Sequence, residues 1–150
     1  MAARTLIQMI EDHSEQITAR VVRRIQLDPE LAHAGRLPEW DLRDRAQEVL
    51  KNLGRWLAKK QEEELAKRYE WLGRLRYEES VPLHETVRSV QILKDQMLDF
   101  IREQGVGQSS MELYEEEELE HRAGLFFDDL IYHLVRGYEG ALRKAAHLVA

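Results

Sequence analysis

A chain of 150 residues is the size of one domain and can bury about 70% of the surface its unfolded form exposes. It has no cysteine, which excludes disulfides, thiolate metal sites, iron–sulfur clusters and cysteine nucleophiles. With 22 basic and 28 acidic residues its formal net charge is −6, the wrong sign for a dedicated nucleic-acid binder.

The start, MAARTLIQMIEDH, meets charge too soon for a signal peptide or a membrane span. The expectation is a single cytoplasmic domain over residues 1–150. Basic pairs such as Lys59–Lys60 and Arg74 with Arg76 read as solvated helix faces.

Residues 3–27 predict a first helix, with Leu6, Ile10, Ile17, Val21 and Ile25 on one face and His13 half-buried beside them. Asp28–Pro29 ends it, because the residue before proline is pushed out of the helical region. A break over 29–38 leads to a second helix that starts near Pro38, with Glu39 and Asp41 complementing its positive end. Leu42, Ala46, Val49, Leu50, Leu53, Trp56 and Leu57 form its buried side, and Lys59–Lys60 suit its end.

The third helix, 62–78, carries Leu65, Tyr69, Leu72 and Leu75 with Trp71 alongside, a thin stripe suited to an edge position. Ser80–Val81–Pro82 separates it from the fourth, with Ser80 as candidate cap and Glu85 reinforcing the new helix start. Val87, Val90, Leu93, Met97, Phe100 and Ile101 give this fourth helix a wide apolar face, and Gly105–Val106–Gly107 ends it.

Ser109 or Ser110 caps a fifth helix reaching about 148. Its apolar side, from Leu119 through Ala123, Phe126, Leu130 and Leu134 to Leu148, is widened by Phe127, Ile131, Tyr138 and Leu142. That is more width than one neighbour covers. The expectation is therefore a homodimer through Ile131, Val135, Tyr138 and Leu142. Gly137, Gly140 and Ala141 suit either a close helix approach or a ligand, or simply a kink.

Chemistry is sparse. Glu30 with His33 and Glu118 with His121 have the Glu-x-x-His spacing of carboxylate-bridged di-iron bundles, but the first pair lies in the break and His121 points to solvent. His84–Glu85 echoes a phosphotransfer histidine without the surrounding motif. His133, near Phe126 and Tyr138, is the candidate for a haem or small-ligand pocket. No hydrolase elbow or phosphate loop occurs. The residues thus give an all-α bundle of about five helices, with a globin-like arrangement as the variant, and no enzyme activity, cofactor or metal.

The run Trp71-Leu72-Gly73-Arg74-Leu75-Arg76-Tyr77, followed by Pro82-Leu83-His84-Glu85-Thr86-Val87 and Ile92-Leu93-Lys94, resembles the N-terminal helical sensor domains of the RsbRD type. Phe126-Phe127-Asp128-Asp129-Leu130-Ile131-Tyr132 with Gly137-Tyr138-Glu139 resembles their last helix. The resemblance implies a non-catalytic regulatory domain of bacterial stressosome signalling, paired with another copy, whose last helix transmits a conformational change. Such domains precede STAS or kinase modules. The end at Ala150 suits either a stand-alone relative acting on a signalling partner or an excised domain.

Overall fold

The computed structural model describes residues 2–58, 61–104 and 109–149. The expected signals at Lys59–Lys60 and Gly105–Val106–Gly107 lie outside them. The described residues form seven α-helices: α1 (Ala2–Asp12), α2 (Ser14–Leu27), α3 (Glu39–Leu50), α4 (Leu53–Ala58), α5 (Glu62–Glu78), α6 (Leu83–Glu103) and α7 (Ser110–Val149). Two 3₁₀ turns, Pro29–Leu31 and Ala34–Arg36, bridge α2 and α3. There is no strand among the described residues, and the chain is all-α as expected. No described helix is long and apolar enough to cross a membrane.

All five predicted segments are helical, and two of them are divided. His13 leaves helical geometry at φ −111°, ψ 23°, and its Nδ1 donates to the Met9 carbonyl oxygen at 2.8 Å. This ring sits exposed against Phe100, 5.2 Å between centroids, rather than half-buried on the core face. The second division falls at Lys51 and Asn52, where Asn52 Nδ2 takes the Glu48 carbonyl at 3.1 Å. A side chain that competes for a helix carbonyl offers the backbone a way out of the ladder.

Fully buried Ile10, Ile17, Leu50, Leu53, Met97, Phe100, Leu119, Phe127, Leu130 and Leu134 make one core. Leu148 departs from expectation at 81% exposed, and Trp71 lies outside under the Arg45 guanidinium. Ser109, not Ser110, caps α7, its Oγ accepting from the Glu112 amide. Ser80 does not cap α6. It adopts φ 61° after α5, with Val81 N–H donating to the Arg76 carbonyl and Ser80 N–H to that of Tyr77, both at 3.0 Å. Together these bonds form a left-handed helix stop in which serine holds the place glycine prefers.

The thin stripe of α5 does not put it at an edge. Gly73 of α5 and Gly137 of α7 bring two backbones together: a Cβ at Gly73 would collide with the Leu134 carbonyl, and one at Gly137 with the Glu70 backbone. Part of the α5 contact is thus made by main chain, which side-chain periodicity does not register. Gly140, grouped with Gly137 by sequence, faces open space.

Gly137 and Gly140 of α7 should respond oppositely in thermal or denaturant unfolding. Gly137→Ala is expected to lose more than about 3 kcal/mol or fail to fold, because backbone cannot yield to a methyl in a packed interior. Gly140→Ala should gain up to about 1 kcal/mol from helix propensity. Equal effects would contradict the close approach.

Candidate functional site: a core cavity in a polar frame

The middle of the bundle encloses a partly open cavity of about 60 Å³ between α2, α3, α5, α6 and α7. Its wall is mostly aliphatic, including Val21, Ile25, Val49, Leu72, Leu93 and Leu130. The polar residues on it are Arg45, Tyr69, Arg76, Thr86 and Ser89. Thr86 Oγ1 donates to the Pro82 carbonyl at 3.3 Å and Ser89 Oγ to that of Glu85 at 2.8 Å, each satisfied within its own helix turn.

Arg76 is buried, although sequence placed it on a solvated face. It falls four residues after Leu72 on the α5 stripe, a spacing that already pointed inward. Its Nη1 bonds Asp41 Oδ2 at 2.9 Å and Glu79 Oε1 at 2.7 Å. Asp41, also buried, receives Arg45 Nε at 3.2 Å on its other oxygen. Arg45 continues to Glu48 at 3.7 Å, and Arg68 pairs with Glu48 and, at 3.5 Å, with Glu64. The result is a chain of alternating charges that ties α3 to α5. Removing one partner of its buried pair would strand the other's charge, typically a loss of about 3–5 kcal/mol.

Tyr69 differs from the rest of the wall. It is 3% exposed and its hydroxyl has no hydrogen-bond partner among the described residues. Burial pushes its phenol well above the ordinary value, with the charges of Arg68 and Arg45 opposing. A buried unpaired hydroxyl is disfavoured by about 1–3 kcal/mol.

Glu85 closes one side of the frame. Instead of simply facing the start of α6, its carboxylate is 3% exposed and turned toward the 3₁₀ segment. Oε1 accepts from the His33 and Ala34 amides, each at 2.9 Å, and Oε2 from His33 Nδ1 at 2.8 Å. Burial alone would raise its pKa. The hydrogen bonds from Ala34 and His33, with the His33 charge, outweigh burial and hold the carboxyl below its usual range.

The residues singled out from sequence do not converge. His133 is buried against α5, Nε2 donating to Glu62 Oε1 at 2.9 Å, with Nδ1 3.6 Å from Glu70 Oε2. It lines neither the core cavity nor the surface groove beside Phe126. Phe126 packs on Trp56, centroids 5.6 Å apart, and lines that groove. Tyr138 turns to the other end of α5, donating to the Val81 carbonyl at 2.7 Å and meeting Tyr77 edge-on. Burial raises its phenol too, Tyr77 adding to the effect.

On the expected partner face Ile131, Val135 and Tyr138 are half-buried, and Leu142 is 49% exposed. Tyr114, Leu125 and Tyr132 are more exposed, and helical geometry puts them about 100° around α7 from that face. Glu30, His84, Glu118 and His121 are exposed, and His33, the partner proposed for Glu30, bonds Glu85 instead.

The family model described as the RsbT co-antagonist protein rsbRD N-terminal domain matches residues 15–148. No curated protein and no solved structure matches the chain.

Loss of the Glu85 clamp should be measurable by unfolding. Glu85→Ala, which orphans two amides, is expected to lose about 3 kcal/mol, and Glu85→Gln less. Because the folded carboxyl is more acidic than its ordinary 4.5, the unfolded chain takes up the proton first. The contribution is therefore complete above about pH 4.5 and lost as pH falls through the folded value. The stability gap between wild type and Glu85→Gln should accordingly stay constant near neutrality and shrink in acid.

Proposed function

Because the chain belongs to the family of RsbT co-antagonist rsbRD N-terminal domains, a stressosome-related signalling family, we propose that it is a non-catalytic sensory or regulatory domain. It acts in the bacterial cytoplasm by contact with a second copy of itself and with a signalling partner. The family match across most of the chain carries this reading.

The shape of α7 supports it. This helix has 40 residues, about 60 Å at 1.5 Å per residue. Its middle is fixed to α5 through Gly137, while apolar side chains remain on its outer surface, Leu142 among them. A rod held rigidly along one side and open along another suits transmission of a shift in the bundle to whatever binds its free face. The dimer face we assign is Ile131, Val135 and Leu142, continuous with Tyr138.

Sedimentation or light scattering at micromolar concentration tests the reading. The expected mass is about 35 kDa, twice the 17.7 kDa of one chain. Val135→Glu with Leu142→Glu should return it to one chain, whereas Leu125→Glu with Tyr132→Glu should leave the dimer intact. A wild-type monomer would falsify the pairing, and dissociation only by the second pair would move the interface to the other strip.

A further inference from the structure

We propose that the core cavity is a binding site for a small neutral amphiphile of about three to five non-hydrogen atoms, an aliphatic body with one hydrogen-bonding oxygen held by the Tyr69 hydroxyl. The class follows from size, charge and the one hydroxyl on the wall that has no partner.

The volume, about 60 Å³, is well below the roughly 150 Å³ of an apolar cavity that accepts benzene, so aromatic rings and larger cofactors are too big. A charged ligand finds no free counter-ion. Arg76 is engaged by Asp41 and Glu79, and Arg45 by Asp41 and Glu48. Carrying an ion into this wall would forfeit its hydration without a partner. Water fits the space, but a buried water needs two to four polar partners and most of this wall is aliphatic, so an aliphatic body covers more of it. With the Thr86 and Ser89 protons given to carbonyls, the hydroxyl left without a partner on this wall is that of Tyr69. An alcohol or ketone oxygen satisfies that hydroxyl while its carbons cover Leu72, Leu93 and Leu130.

Entry is from the side where lining residues Leu37, Arg45, Ser89 and Val90 are only half-buried. Occupancy reaches α7 directly, because Leu130 and Leu134 form part of the wall. The site thereby supplies an input for the regulatory reading above, on which its biological meaning rests.

The test is a titration of the full chain with 1-propanol, followed by methyl NMR. Saturable shifts are expected at Leu72, Leu93, Leu130 and Leu134, while exposed Leu125 and Leu148 stay still. Tyr69→Phe keeps the packing, removes only an unpaired hydroxyl, and should weaken binding about fivefold or more. Ala46→Val, on the same wall, should fill the space and abolish saturation. If that variant does not fold, the Tyr69→Phe comparison decides.

Non-saturating shifts, shifts spread over the surface, or equal affinity in Tyr69→Phe overturn the proposal. A dimer without saturable binding removes the ligand and leaves the regulatory reading. Saturable binding to a monomer removes the proposed pairing and leaves the ligand.

Discussion

The backbone contact between Gly73 and Gly137 is the constraint on which the rest depends. At that separation neither helix can slide without driving main chain into main chain, because a packed interior does not deform continuously. The register it fixes sets Tyr69 and Leu72 beside Leu130 and Leu134 around the cavity. One turn toward the start of α5 it puts Glu70 beside His133, and at the other end it brings Tyr138 to the turn at Val81. Helix α7 is therefore tied at three levels, to α5 by carboxylates and by backbone, and to the turn that follows α5 by a tyrosine hydroxyl.

From that turn the coupling continues through polar contacts. Val81 leads into α6, whose Glu85 holds the segment at His33 and Ala34, and Arg76 in the last turn of α5 holds Asp41 at the start of α3. Buried ion pairs are poor sources of net stability, since desolvation consumes much of the attraction. What they supply here is a single geometry: Asp41 has two oxygens and two arginines to meet, and Glu85 three donors in fixed directions. A disturbance at the cavity wall thus has defined routes to α3, to the 3₁₀ segment and to α7.

Much of the architecture was legible in the sequence because helical periodicity reports which side chains face inward. The ends of α2 and α5 and the start of α6 were marked by Asp28–Pro29 and by Ser80–Val81–Pro82, and part of the family resemblance lay in the second junction. What escaped has a common cause. Periodicity records apolar side chains, whereas Gly73 contributes main chain, and Arg76, Asp41 and Glu85 lie inside only because each meets a partner distant in sequence. The divisions at His13 and Asn52 depend on side chains competing for carbonyls, which residue spacing leaves silent. Arg76 could have been found, since it continues the spacing of Leu65, Tyr69 and Leu72. The inward turn of Glu85 could not, because a glutamate in a first helical turn already has a sufficient reason to be there.

Native-state hydrogen exchange tests most directly the claim that α5 and α7 are locked together as one element. Amides of Glu70–Gly73 and of Leu134–Tyr138 should exchange only by global unfolding, with the same opening free energy as the core of α6 around Met97. Opening of the α7 segment at a lower free energy, while α5 stays protected, would contradict the account, because the two helices would then separate within the folded protein.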